Sequence, residues 1–196
     1  MDRKLEILQS LAAELETQPG ARVTTAKLAR SVGVSEAALY RHFASKAQMF
    51  EGLIGFAEDT VFGLVNRVME EQRRVEFRCR DSIDVLLRFA DSNPGIARVL
   101  VGDALVGEQA RLRTRVNQFF DRVETQLKQM LRESALDEGV SLRLEPEAAA
   151  ALLLAYASGC VEQFVRTAFD RRPQTDFAEH WPALERAVFR RDAALS

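Results

Sequence analysis

Val23-Thr24-Thr25-Ala26-Lys27-Leu28-Ala29-Arg30-Ser31-Val32-Gly33-Val34-Ser35-Glu36-Ala37-Ala38-Leu39-Tyr40-Arg41-His42-Phe43 is the segment on which the fold turns. Leu28 and Ala29 share one helical face, and Leu39 and Phe43 share another. Between them Val32 and Val34 bracket Gly33, the residue free to take a positive φ. The pattern predicts two short helices that cross at a tight turn. Ser35 is placed to cap the second helix with its hydroxyl, which leaves Glu36, Ala37, Ala38, Tyr40 and Arg41 pointing outward. Turn length, capping serine and an outward Tyr-Arg-His cluster fit a helix-turn-helix that enters a DNA major groove better than an ordinary helical hairpin.

Each outward residue has a chemistry suited to that use. Thr24 and Thr25 stand where hydroxyls and free backbone N–H groups grip a phosphate, a role compatible with plain N-capping. Tyr40, His42 and Lys46 suit phosphate contact, which fixes how the reading helix lies in the groove. Ala37 and Ala38 are small enough to meet thymine methyls, Arg41 or Lys27 reaches guanine or phosphate, and Glu36 accepts from cytosine N4 or serves its own helix N-terminus.

The 196 residues suffice for one large domain or two small ones, and 47 % of them are apolar. Net charge is −2 but uneven: residues 1–50 carry seven Lys/Arg against five Asp/Glu, the remainder twenty against twenty-four. So small a basic excess predicts local phosphate contacts rather than a wide basic track, and dimerisation doubles them. Cys79 and Cys160 are isolated in apolar helical stretches, which points to a reduced, cytosolic setting. No apolar run reaches about 18 residues without a charge, and Met1-Asp2-Arg3-Lys4-Leu5-Glu6 is not a signal peptide, so neither membrane span nor export is expected. His42 and His180 fall in separate regions, leaving no metal or nucleophile constellation; no enzyme and no cofactor is expected.

Periodicity outside the motif is helical throughout, with no strand pattern and no repeat, and predicts an all-α chain. Leu5, Leu8, Leu11, Ala12 and Leu15 predict a first helix over 3–18, stopped by Pro19-Gly20. The capping-box spacing of Ser45 to Gln48 opens a long fourth helix to about residue 72, with no Gly/Ser/Pro-rich linker where it leaves the head. These signals divide the chain into a head, 1–46, and a helical dimerisation and partner-binding region, 47–196. Ile83, Leu86, Leu87 and Ala90 mark a fifth helix, and Asn93-Pro94 predicts a cap and first position for a short sixth. From about 104 to 136 a stripe from Leu105 to Leu131 suits a coiled coil of about four heptads or, preferably, packing within one subunit. Residues 137–145 read as a polar break. Pro146 then opens a helix uncharged from Ala148 to Val161, whose small residues admit a second helix at a symmetric interface, and a last helix over about 177–191 completes a four-helix interface with its mate. A homodimer is expected.

The segment Arg22 to Phe43, together with Glu6-Ile7-Leu8-Gln9-Ser10-Leu11, Asn93-Pro94-Gly95, Glu108-Gln109-Ala110-Arg111-Leu112, Arg115-Val116-Asn117-Gln118-Phe119-Phe120 and Phe164-Val165-Arg166, resembles the TetR family of dimeric bacterial DNA-binding regulators, and within it the nucleoid-occlusion branch. The resemblance implies a TetR-like fold and a cytoplasmic, nucleoid-associated dimer. It would bind palindromic double-stranded DNA, with one or more dimers per site, and the tubulin-like division protein FtsZ. It would disrupt FtsZ polymers when DNA-bound, so that no division ring assembles over unsegregated DNA. It places the FtsZ tail between the fourth and fifth helices, at Phe56 and Asn93. The chain departs from the branch in lacking a basic arm before the first helix, and in carrying Ser92 and Arg88 where arginine and glycine are expected. The alternative is a ligand-released repressor, the commoner use of this fold. That role needs a cavity with convergent polar groups, for which the later helices offer little beyond Tyr156, Ser158 and Gln163. No small-molecule ligand is expected there.

Overall fold

The computed structural model describes residues 3–17, 22–72, 74–133 and 140–191. In chain order these form α1 (Arg3–Thr17), α2 (Thr25–Val32), α3 (Glu36–His42), α4 (Lys46–Glu71), α5 (Val75–Ser92), α6 (Pro94–Leu100), a 3-10 turn (Asp103–Leu105), α7 (Ala110–Glu133), β1 (Val140–Leu142), α8 (Pro146–Arg166), α9 (Phe177–Val188) and β2 (Phe189–Arg191). The predicted stop at Pro19-Gly20 lies outside the described residues.

Ile7, Leu11 and Leu15, one face of α1, are fully buried and close the head over α2 and α3. A neighbouring face of α1 rests on α6. There Gly95 lies so close that a Cβ added to it would stand 2.0 Å from the Ala12 carbonyl oxygen. Beside it Arg98, 1 % exposed, donates from Nη1 to the Leu15 carbonyl at 2.6 Å and from Nε to Asp103. The carbonyls of a helix's last turn have no intrahelical donor, and a buried guanidinium needs acceptors; each need meets the other here.

α4 runs unbroken for 26 residues from the head into the second region. It buries Met49, Phe50 and Leu53 near its start and Val61, Phe62 and Val65 further on. α7 spends its apolar stripe inside the chain: Leu112, Val116, Phe119, Val123, Leu127 and Leu131 are buried, chiefly against α8 and α4. Arg115 of α7 grips Glu58 of α4 through two parallel N–H···O contacts, the bidentate geometry that holds two helices in register. The Cys79 thiol on α5 is pushed up to about 12, first by burial and then by the nearby Glu76 carboxylate, and it is inert at neutral pH.

Five expectations need correction. The predicted helix over 104–136 is instead a 3-10 turn followed by α7 from Ala110, because Gly107 takes φ +78° and breaks the periodicity that Leu105 continues by chance. The final helix ends at Val188, not 191. Phe189–Arg191 pairs antiparallel with Val140–Leu142, Ser141 opposite Arg190, so strands exist where none was expected; three residues are too few to show alternation. The strand β1 also falls inside the supposed polar break, of which 137–139 lie outside the described residues. Finally, the Asn93 side chain does not cap α6. Its amide donates back to the Phe89 carbonyl at 2.8 Å, closing the end of α5, while Pro94 takes the first position of α6 as expected.

α8 is long and apolar enough to cross a bilayer by length and composition alone. In this fold Ala149, Ala150, Leu153, Ala157, Val161 and Phe164 are buried within the chain, and the stripe of Ala148, Ala151, Leu152 and Ala155 is exposed.

Replacing Gly95 with alanine forces α1 and α6 apart. Urea unfolding of Gly95→Ala is expected to show a loss of about 1–3 kcal/mol, the usual cost of overpacking against a backbone atom that cannot yield.

Candidate nucleic-acid interface

The helix-turn-helix forms as its sequence dictates. Thr24 is the N-cap of α2, its Oγ1 accepting from the Lys27 amide at 3.2 Å. Gly33 ends the helix at φ +73°, the left-handed conformation that costs a β-carbon least to forgo, and its N–H closes on the Ala29 and Arg30 carbonyls. Ser35 then caps α3 by accepting from the Ala38 amide at 3.1 Å. Ser45 caps α4 through the Gln48 amide, and the Gln48 side chain accepts from Ala44 N, one residue earlier than a capping box has it.

Glu36, Ala37, Tyr40, Arg41 and His42 are exposed on one side of α3, with Ala38 half-buried beside them and Leu39 fully buried opposite. Tyr40, 43 % exposed, is a large aromatic held in solvent at the foot of the head. The face is brought together as the sequence predicts, but four of the polar groups assigned to DNA, Thr25, Lys27, Glu36 and Lys46, already have partners. Thr25 donates its hydroxyl to Glu36 Oε2 at 2.6 Å, tying the starts of α2 and α3 together. The Lys27 ammonium pairs with Glu14 of α1. Lys46 reaches Glu108, in the loop before α7, at 2.5 Å. None of these partners is within helical spacing of its mate, so no local signal in the sequence announces them.

A second surface lies where α4 meets α5. Phe56, 43 % exposed, rests on Phe89 with ring centroids 6.1 Å apart, and Leu64 is exposed two turns further along α4. Asn93 is half-buried at the end of α5, and Arg88 and Ser92 stand exposed on the same helix, Arg88 paired with Asp84 at 2.6 Å. Phe56 and Asn93 both meet Phe89, Phe56 at its ring and Asn93 at its carbonyl. Among the described residues no group of three or more His, Cys, Asp or Glu is placed to hold a metal. Tyr156 and Gln163 line a hollow of about 210 Å³ beside α9, where the Tyr156 hydroxyl meets His180 Nδ1 at 3.1 Å. That is below the roughly 300–1,000 Å³ of ligand pockets.

A three-helix head with a capped helix-turn-helix, joined through a continuous helix to an all-helical second region, is the architecture of a TetR-type DNA-binding regulator. Residues 7–53 match the family described as bacterial regulatory proteins, tetR family, and residues 73–188 match the SlmA-like, tetracyclin repressor-like C-terminal domain. The chain is 52 % identical over 188 residues to the nucleoid occlusion factor SlmA of Shewanella woodyi, covering 96 % of this chain and 95 % of that one. It is 52 % identical over 187 residues to that of Idiomarina loihiensis, covering 95 % of each. The chain belongs to the nucleoid occlusion factor SlmA family. The fold is shared more widely. The MbdR regulator from Azoarcus matches with a TM-score of 0.77 at 14 % identity, covering 93 % of this chain and 96 % of that one. The FadR regulator from Bacillus subtilis, in complex with stearoyl-CoA, matches with a TM-score of 0.74 at 15 % identity, covering 93 % and 98 %.

The cap on α3 has a measurable worth. Ser35→Ala leaves the Ala38 amide without its acceptor and is expected to lower stability by about 1 kcal/mol, read as a fall in the thermal midpoint.

Proposed function

We propose that this chain is a dimeric nucleoid occlusion factor that binds palindromic DNA sites through its head and, when DNA-bound, binds FtsZ and disrupts its polymers. The similarity to nucleoid occlusion factors over almost the whole chain carries the reading. It is supported by a head face that offers the right groups in the right places, and by an aromatic left in solvent on α4. The division of labour follows residues 1–46 for DNA and 47–196 for dimerisation and partner binding, in the cytoplasm at the nucleoid.

On DNA, Thr24, Thr25, Tyr40, His42 and Lys46 hold phosphates, and Ser35 sets the start of the reading helix. Glu36, Ala37, Ala38 and Arg41 face base edges, with Lys27 at the flank. The exposed stripe of α8 is covered by its symmetry mate together with α9, since a small-residue apolar stripe of that length is stable in water only when another helix lies on it. The FtsZ tail lies along the surface between α4 and α5, with Phe56 as its aromatic anchor and Asn93 at its end.

The test is light scattering of FtsZ polymerising with GTP, with this protein and with or without a short palindromic duplex. Polymers should disassemble markedly faster only when the duplex is added. If FtsZ is indifferent while DNA still binds, the chain acts as a ligand-released repressor instead. Phe56→Asp should retain DNA affinity and lose the effect on FtsZ; loss of both would make Phe56 a packing residue.

Because Lys46 is held by Glu108, removing that carboxylate frees a cation for phosphate. Glu108→Gln is expected to tighten duplex binding several-fold at low salt and to steepen its salt dependence. An unchanged salt slope would remove Lys46 from the phosphate contacts.

A further inference from the structure

At the end of α4 remote from the head, a cavity of about 460 Å³ opens between the first turn of α5, the β1–β2 ribbon and the last turns of α9. Pro182 and Phe189 give it apolar walls, and three guanidiniums, from Arg143, Arg186 and Arg190, border it. The guanidiniums of Arg186 and Arg190 make no ion pair or hydrogen bond among the described residues, whereas Arg143 donates from Nε to the Phe189 carbonyl at 3.2 Å. Two acidic residues, Glu76 and Glu185, line the same cavity.

Glu76 is the unusual member. The residue is 3 % exposed, and only one of its oxygens, Oε1, is engaged, by the Arg74 guanidinium. Its other oxygen, Oε2, is buried with no hydrogen-bond partner. A buried carboxylate oxygen without a donor is costly, and proteins rarely leave one empty except where a donor arrives from outside. One residue of the cavity wall thus carries a vacant acceptor, and two others carry uncommitted, planar, five-donor cations. That pairing matches neither a fatty chain nor a simple anion.

We propose that this cavity binds a nucleotide, a small amphoteric ligand that gives a base N–H to Glu76 Oε2 and its phosphate to Arg186 and Arg190. Arginine forks match phosphate oxygens bidentately, and the volume falls in the range that encloses a ligand of that size. An amino acid offers the same two ends, an ammonium and a carboxylate, but fills much less of the space. The site is separate from the head, from the α4–α5 surface and from the hollow beside Tyr156, and it stands whether or not the chain acts on FtsZ.

Isothermal titration of the full-length protein decides it, with GMP, guanosine, inorganic phosphate and glutamine as separate titrants. GMP should bind, with guanosine and phosphate each at least tenfold weaker. Glu76→Gln should weaken GMP at least tenfold while keeping the fold, read as an unchanged far-UV spectrum and a cooperative thermal transition, since the amide keeps an oxygen for Arg74. The double variant Arg186→Ala with Arg190→Ala, both exposed positions, should abolish the advantage of GMP over guanosine. Absence of heat and of a thermal shift with GMP, AMP and CMP at millimolar concentration overturns the proposal. Equal GMP affinity in the variants and the parent does the same, as does tighter binding of glutamine than of any nucleotide.

Discussion

The seating of α1 on α6 is the constraint on which the rest of the molecule depends. α1 is one leg of the head and α6 belongs to the second region, yet the two backbones touch at Gly95 and Ala12, and Arg98 crosses between them to the Leu15 carbonyl. A guanidinium buried to 1 % exposure has few alternative acceptors, so its hydrogen bonds select one rotation and one depth for α1. α2 and α3 pack on α1 and take their position from it. Where the outward face of α3 points is thus settled in the second region as much as in the head.

Two cations of the head, Lys27 and Lys46, are already partnered within the chain. With a net charge of −2 the chain has little bulk attraction for a polyanion, and Thr25, Lys27 and Lys46 are each held by a carboxylate of the chain itself. At the proposed DNA contacts, phosphate would compete with those carboxylates, which makes each such contact weaker in isolation and more demanding in geometry. The Lys46 to Glu108 pair spans head and second region, so this competition is felt across the boundary between them.

Much of the architecture was legible because it rests on strong local signals. Gly33 between two valines, serines at two helix starts and Pro94 and Pro146 at first helical positions each have one physical reading, and the structure follows it. The stripe on α7 was legible as well, since six apolar positions at helical spacing, Leu112 to Leu131, leave little choice. What escaped were features fixed by distant partners. The ribbon of Val140–Leu142 and Phe189–Arg191 joins segments almost fifty residues apart, and neither is long enough to alternate. Asn93 had two ways to satisfy an amide, and tertiary context chose the carbonyl of Phe89. At the candidate DNA face, residue types and exposure were readable from helical phase, whereas the carboxylates that hold Thr25, Lys27 and Lys46 come from other elements. Phe56 could not be placed from spacing alone, because an aromatic on a helix carries the same periodic signal whether it is covered or bare.

α4 has a mechanical meaning beyond its role as a connector. Its 26 residues make a rod of about 39 Å with no proline, carrying the reading helix near one end. A tilt of only about 5° at the far end sweeps the near end through about 3 Å, close to the rise of one base pair. In a symmetric pair the two rods tilt in opposite senses, so the separation of the reading helices changes by twice that amount. In the proposed DNA-bound dimer, small rearrangements among the side chains around Val61, Phe62 and Val65 would thereby set the half-site spacing, with α4 acting as a lever rather than a hinge.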